Sequence, residues 1–256
     1  MPSFNEKAEA FAALHKAWDP LILFNAWDAG SARIVAGAGA KAIATGSWSV
    51  AAAFGYEDGE ALPRDLAIEN IARIAAAVDL PVSIDLEGGY GDSPDAVAET
   101  AALAMEAGAI GCNFEDRRIG GEGMHPIDEQ VRRIAAIRAA ADAAELSFFI
   151  NARTDLFLQS PPADHPGQIE AAIERGRAYA EAGASGLFVP ALADEQLIAA
   201  LCSASPLPIN IMMAGNSPTP DQLAKLGVAR ISYAGAPWTL AMKALAAAAE
   251  GVYSPD

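Results

Sequence analysis

The chain is predicted to fold as a (β/α)8 barrel, and three observations carry the prediction. Strand-like apolar runs alternate with helix-like runs eight times in about 230 residues, the count such a barrel needs. The strand runs are near-continuously apolar rather than alternating, as expected where both sheet faces are covered. No GxGxxG fingerprint follows the first strand, which argues against the main rival, a doubly wound open sheet. No Pro- or Ser-rich linker divides the 256 residues, so one barrel domain is expected over 1–256.

Taken in order, a first helix is expected over 5–18, followed by strands at 21–24, 42–45, 82–85 and 111–115. Four more strands are expected at 148–152, 186–189, 207–212 and 228–232. Amphipathic or Ala-rich runs at 31–38, 64–78, 94–107, 127–144, 168–182, 194–203 and 220–226 read as the helices between them. A last helix is expected over 237–250, where Ala244-Leu245-Ala246-Ala247-Ala248-Ala249 favours helix. Several helices end alike, in Ala36-Gly37-Ala38-Gly39, Ala107-Gly108-Ala109 and Ala182-Gly183-Ala184. Glycine there fits a left-handed cap before the next strand.

Composition narrows the function. Hydrophobic residues make up 52% of the chain and charged residues 20%, ample for a core. Seventeen basic against 33 acidic residues give a formal charge of −16, which opposes binding to nucleic acid or anionic membranes. An anionic substrate would then need local positive charge from a metal, an arginine or backbone amides. No apolar run reaches the roughly 18 residues of a membrane span, and Glu6, Lys7 and Glu9 stand where a signal peptide would be apolar. A cytoplasmic protein is expected. Cys112 and Cys202 are far apart with no partner motif, so neither a disulfide framework nor a two-thiol metal site is expected. Cys112 lies in an apolar strand run and reads as a buried small residue.

The chemistry concentrates in Ser83-Ile84-Asp85-Leu86-Glu87-Gly88-Gly89-Tyr90-Gly91, where a strand run ends in two carboxylates and a glycine loop. Strand alternation points Asp85 and Glu87 to the same side. Close carboxylates repel unless a positive charge sits beside them, and Mg2+ is the usual one. Barrel active sites gather at the carboxyl ends of the strands. The polar residues expected there are Asn25, Asp28, Thr45-Gly46-Ser47, Asp85, Glu87, Glu115, Asp116, Asn151, Arg153, Asn210, Ser232 and Tyr233.

Together, Asn25-Ala26-Trp27-Asp28-Ala29-Gly30-Ser31-Ala32, the Asp85–Gly91 segment, Asn113-Phe114-Glu115-Asp116 and Asn151-Ala152-Arg153-Thr154-Asp155 resemble the isocitrate lyase / phosphoenolpyruvate mutase superfamily. The resemblance runs in order from about Leu21 to Gly235 and is closest to the short phosphonomutase-like members. It implies a barrel whose terminal helix is exchanged with a neighbour, building homodimers and then homotetramers. It implies Mg2+, with Mn2+ as a substitute, bound by Asp85 partly through water, with Glu87 and Glu115 completing the water shell. Arg153 matches the arginine that pairs with a substrate carboxylate or phosphonate. Thr45, Gly46 and Ser47 match the turn that receives a substrate carboxylate or enolate oxygen, Asn210 joins the substrate contacts, and Asp58 matches an aspartate beside the reacting bond.

Departures from the pattern shape the expected activity. Lyases of the superfamily carry a Lys-Lys/Arg-Cys-Gly-His loop after the fourth strand. Here the region reads Arg117-Arg118-Ile119-Gly120-Gly121-Glu122-Gly123-Met124-His125-Pro126, with no cysteine and without the Asn and Lys of phosphonate-handling members. The lyase Phe-Pro-Glu becomes Phe188-Val189-Pro190-Ala191. His125 is a candidate replacement acid/base. The expected function is a Mg2+-dependent lyase or decarboxylase acting on a small 2-oxo or 2-hydroxy carboxylic acid, oxaloacetate-like, through an enolate. Loss of neutral CO2 needs no general acid at the departing group. The alternatives are phosphonopyruvate mutation or hydrolysis, and a barrel that binds 2-oxo acids without turnover.

Overall fold

Strand and helix alternate along residues 3–253, the part of the chain that the computed structural model describes. Eight parallel strands form one sheet: β1 (Leu21–Leu23), β2 (Ile43–Ala44), β3 (Val82–Asp85), β4 (Gly111–Glu115), β5 (Phe149–Arg153), β6 (Gly186–Val189), β7 (Ile209–Met212) and β8 (Arg230–Ser232). The hydrogen-bonded order β1-β8-β7-β6-β5-β4-β3-β2 curls the sheet into a barrel. Its seam, between β1 and β2, is closed by a parallel bridge from Ala26 to Thr45. The side chain of Asn25 straddles that seam. Its Nδ2 donates to the Thr45 carbonyl at 3.0 Å, and its Oδ1 accepts from the Tyr233 N–H at 2.9 Å.

The helices are α1 (Phe4–Ala13), α2 (Ala29–Gly37), α3 (Ser47–Phe54), α4 (Arg64–Ala77), α5 (Pro94–Glu106) and α6 (Ile127–Ala143). They continue with α7 (His165–Glu181), α8 (Glu195–Ala204), α9 (Pro220–Lys225) and α10 (Ala236–Tyr253). Their starts are chemically marked. Ser3 and Glu6, Asp28 and Ser31, and Thr219 and Gln222 each form a reciprocal capping box. Asp28, grouped above with the strand-end polar residues, is therefore the cap of α2. The recurrent Ala-Gly-Ala endings place Gly39, Gly108 and Gly183 at φ 98°, 99° and 96°, the left-handed caps expected of them.

Most bounds shift from expectation by one to three residues, and three differences bear on the architecture. The first helix stops at Ala13, and a turn with Trp18 at φ 72° replaces its predicted last residues. The helix expected from 168 starts at His165, behind a 3-10 turn at Pro162–Asp164. α3 was not expected at all; it follows β2 after two residues.

The outer faces of the strands and the inner faces of the helices share one apolar core, with Ile71 and Ile74 of α4, Ile134 and Ile137 of α6, and Ile198 and Leu201 of α8 buried in it. At the amino-terminal mouth α1 acts as a plug. Phe11 meets Phe149 edge-on with centroids 5.5 Å apart, and His15 stacks on the same ring at 3.9 Å. Phe11 is fully buried. Phe11→Ala is therefore expected to cost about 3–5 kcal/mol. Urea denaturation checks this: the midpoint falls while the slope stays constant.

Inside the barrel the filling is polar. Asn113 Oδ1 accepts from Asn151 Nδ2 at 2.9 Å and from Arg230 Nη2 at 3.0 Å, and Asn151 Nδ2 also donates to Asn210 Oδ1 at 3.0 Å. Asn210 Nδ2 faces the Ile211 carbonyl, the Arg230 carbonyl and Ser232 Oγ. This layer forms the floor beneath the carboxyl ends of the strands. Burial pushes the Arg230 guanidinium down to about 10, against the pull of the Asp85 charge above it.

Candidate active site

The acids at the strand ends are held by different means. Asp85 closes β3. Its N–H donates to Thr45 Oγ1 at 2.9 Å, and its Oδ2 accepts from the Ser47 N–H at 3.1 Å. Ser47 opens α3, so the unexpected helix turns its amino terminus, with that end of its dipole, toward Asp85. The other oxygen, Asp85 Oδ1, is enclosed and has no hydrogen-bond partner. Thr45 and Ser47 thus orient the acid, while Gly46 caps α3 and its carbonyl receives the Ser49 hydroxyl at 2.9 Å.

Glu87 reaches the same place by another route. β3 ends at Asp85, and Glu87 has φ 52°, so strand alternation does not place it. Its Oε2 accepts from the N–H groups of Gly59 and Glu60, both at 2.8 Å. Asp85 and Glu87 nevertheless line one cavity with Thr45, Ser47, Ile84 and Tyr90; its volume of about 10 Å³ has room for roughly one water. Asp58 is exposed on the adjoining loop, near enough for its charge to push up both carboxyls.

Glu115 ends β4 and is buried; its Oε2 pairs with Arg153 Nη1 at 2.8 Å. Arg153 ends β5, and its Nε and Nη2 bind Asp155 as a fork at 2.6 and 2.9 Å. Asp155 belongs to the Asn151–Asp155 motif but was not among the predicted site residues. Its backbone N–H donates to Asp116 Oδ1 at 3.0 Å. Asp116 in turn receives the Tyr179 hydroxyl at 2.8 Å and Arg175 Nη1 at 3.0 Å.

Electrostatics separates the acids from the arginine. Burial is the largest influence on Asp85 and raises its carboxyl, with Arg153 opposing. Burial, then the charges of Asp85 and Asp58, pushes Glu87 up to about 7. Burial also raises Glu115 well above the usual carboxylate range, and the charges of Asp155, Asp85 and Glu87 add to it. Desolvation alone would lower Arg153, but Glu115, Asp155 and Asp85 outweigh it and hold the guanidinium firmly charged. The site gathers more carboxyl groups than one arginine can balance, and Asp85 Oδ1 is their fully enclosed oxygen without a partner. Those features suit a divalent cation. Among the described residues no three Asp, Glu, His or Cys side chains converge closely enough to ligate an ion together. An ion placed here would have the unpartnered Asp85 Oδ1 as its direct side-chain ligand and would reach Glu87 and Glu115 only through water.

The other expected residues fall outside this cluster. Asn210 lies in the floor, its amide committed to the barrel interior. His125 is buried, donates its N–H to the Asp116 carbonyl, and sets Nδ1 3.0 Å from Glu129 Oε1; burial lowers its pKa. The loop before it is a small hairpin, bridged from Arg117 to Met124, with Ile119 lying against Gly88. Cys112 is fully buried and its thiol is raised by desolvation.

Fold and site together define a barrel enzyme whose acids, arginine and helix terminus meet at the carboxyl ends of its strands. The sequence profile of phosphoenolpyruvate phosphomutase matches residues 11–253. The chain belongs to that family, within the isocitrate lyase / phosphoenolpyruvate mutase superfamily, whose lyases and mutases act on carbon–carbon or carbon–phosphorus bonds. It is 32% identical to 2-methylisocitrate lyase of Escherichia coli K12, covering 98% of this chain and 85% of that one. A crystal structure from Burkholderia cenocepacia J2315, of a protein provisionally described as a phosphonomutase, is 53% identical. It superposes with a TM-score of 0.95 over 97% of this chain and 99% of that one. Phosphonopyruvate hydrolase in complex with oxalate and Mg2+ shares the fold, with a TM-score of 0.83 at 22% identity over 96% of this chain and 86% of that one.

Proposed function

We propose that the chain is a Mg2+-dependent lyase or decarboxylase of a small 2-oxo carboxylic acid, oxaloacetate-like in its charge. The observation that carries this reading is the enclosed, unpartnered Oδ1 of Asp85, with Glu87 and Glu115 around it and Arg153 beside them. The Mg2+ and oxalate held by phosphonopyruvate hydrolase are the chemistry the site is proposed to share. Asp85 would hold the ion directly, and Glu87 and Glu115 would hold its water; Mn2+ has the same oxygen-ligand preference. When bound, the ion supplies positive charge for the oxygen that becomes negative as the bond to C3 breaks.

This chain's residues do the rest. Arg153, fixed on one side by the Asp155 fork, turns its Nη1 edge to the substrate carboxylate where it now meets Glu115. The amino terminus of α3, with Gly46 and Ser47, contributes partial positive charge beside Asp85. Asp58 stands on the rim, available to take a proton from a hydroxy-acid substrate. The loop at 117–126 offers no thiol acid, and release of neutral CO2 asks for none.

The test is pyruvate release from 2-oxo diacids, hydroxy diacids and phosphonopyruvate, together with phosphoenolpyruvate formation from the last, with Mg2+, with EDTA, and with Asp85→Ala. Product that needs both metal and Asp85 supports the reading. Turnover of phosphonopyruvate alone transfers it to carbon–phosphorus chemistry, which the 53% identity to the Burkholderia protein favours as second reading. Metal-dependent oxalate binding with no turnover makes the barrel a binder.

The proposed assembly exchanges α10 between subunits. Within the described residues only Pro237 of α10 is buried, while Leu240, Leu245 and Tyr253 are 64%, 61% and 86% exposed. An apolar groove of about 550 Å³ lies beside β1 and α2, lined by Leu21, Ile22, Phe24, Ile34 and Val35, and is free to take such a helix. Leu245→Glu is expected to shift the oligomer to monomer in light scattering. No helix of the described residues is long and apolar enough to cross a membrane.

A further inference from the structure

We propose that Arg133, working with Gln130, is a positioning residue for the acid cluster, clamping the glycine loop after β3 to the end of β4. Both side chains lie on α6, behind the site, and both are buried. Arg133 Nη2 donates to the carbonyls of Gly88 and Gly91, the latter at 3.2 Å. Its Nη1 donates to Gln130 Oε1 at 2.6 Å, and Gln130 Nε2 donates to the Glu115 carbonyl at 3.1 Å. The guanidinium lies over the Phe114 ring, 4.8 Å from its centroid. One buried cation therefore ties the backbone that carries Glu87 to the backbone that carries Glu115.

The loop needs such a tie. Glu87 and Tyr90 both adopt left-handed conformations, with φ 52° and 57°, which non-glycine residues keep only where their surroundings enforce them. Between them Gly89, at φ 88°, is pressed so close to the helix and strand behind it that a Cβ would stand 2.7 Å from Val97 Cγ1 and 2.9 Å from Phe114 Cε2. The same loop is stitched to its other neighbour. Glu87 accepts from Gly59 and Glu60, and Glu60 Oε1 accepts from the Tyr90 N–H at 2.8 Å. Arg133 touches no group proposed to meet metal or substrate. It acts by holding the two carbonyls that flank Gly89 and Tyr90, so that the Glu87 side chain is delivered in one pose. One buried and one half-buried carbonyl served by one guanidinium also explain the choice of arginine, since lysine lacks the fork to reach both while bonding Gln130.

The arm of this inference that concerns the metal rests on the Mg2+ reading above; the arm that concerns the loop does not. The test measures amide hydrogen exchange and Mg2+ affinity in Arg133→Met, Arg133→Lys and Gln130→Met. Arg133→Met is expected to accelerate exchange at Gly59, Glu60 and Tyr90 by about tenfold or more, with Ile150 and Ile211 in the strands unchanged. Its Mg2+ dissociation constant is expected to rise roughly 10- to 100-fold, the usual loss when the support of a ligand is removed. Arg133→Lys should fall between it and wild type. Gln130→Met keeps the charge and releases one arm, so it should accelerate the same three amides to a lesser degree; it carries the test should Arg133→Met not fold. Unchanged exchange at the three amides overturns the proposal. So does uniform acceleration of all amides with Mg2+ affinity intact, which marks a purely structural arginine. A wild-type protein that binds no Mg2+ removes the functional reading, and the exchange pattern alone then decides the clamp.

Discussion

Asp85→Asn is expected to abolish turnover, by about a thousandfold or more, while making the metal-free protein more resistant to heat. The two effects have one cause. Burial disfavours the Asp85 carboxylate and outweighs the pull of Arg153 and the Ser47 N–H, the Asp58 charge adds to the cost, and Oδ1 is enclosed without a partner. Asparagine keeps the shape and an oxygen for the Ser47 N–H, but removes the charge that the folded protein holds at a cost. It also removes the direct ligand proposed for the metal, and with it the charge stabilisation on which the proposed reaction depends. Thermal melts with and without Mg2+ separate the contributions. In wild type, Mg2+ at about a hundred times its dissociation constant adds roughly 2.7 kcal/mol of stability. In Asp85→Asn that increment is expected to vanish, and the metal-free melting temperature to rise. A variant that keeps its Mg2+ response moves the ion away from Asp85. One that loses activity but melts lower has lost a structural group instead.

What the sequence made visible, and what it did not, follows from the range of the forces involved. Strand runs such as Val82–Asp85 and Gly111–Glu115 were legible because packing against the helices buries Val82, Ile84, Cys112 and Phe114, although the inward face, with Asn113, is polar rather than apolar as expected. The Ala-Gly-Ala helix endings were legible because a left-handed cap selects glycine. The helix Ser47–Phe54 was not: it follows β2 with no side-chain cap, and its start is defined by a tertiary contact, the Ser47 N–H on Asp85. Glu87 does lie beside Asp85, but not by strand alternation, because its left-handed turn is held by amides from a loop 27 and 28 residues away in sequence. Asn210 looked like a strand-end contact, yet it joins Asn113, Asn151 and Arg230 in a polar layer that exists only once four strands are in register. Asp155 stands two residues past Arg153, and nothing in that spacing announces a bidentate pair.

Asp116→Ala is expected to cost about 3–5 kcal/mol of stability, the usual penalty for breaking a buried ion pair from one side. Asp116 is fully buried, and four donors depend on its neighbourhood. Arg175 and the Tyr179 hydroxyl meet Oδ2, the Asp155 N–H meets Oδ1, and the His125 N–H meets the main-chain carbonyl. Alanine keeps only the last of these. It strands the Arg175 charge in the interior and frees Asp155, whose carboxylate fork sets the pose of Arg153. Asp116→Asn separates the two consequences. Its oxygen still accepts from Asp155, but its amide nitrogen faces Arg175, so it is expected to lose about 1–3 kcal/mol while keeping Arg153 in place. Urea denaturation gives the stability order wild type, Asn, Ala. Kinetics measured below both unfolding transitions then test the relay from α7 to Arg153. The alanine variant is expected to show a raised KM for the carboxylate substrate and the asparagine variant a KM near wild type. Equal KM values in both variants sever Asp116 from the substrate side of the site and leave it as a pin between the ends of β4 and β5.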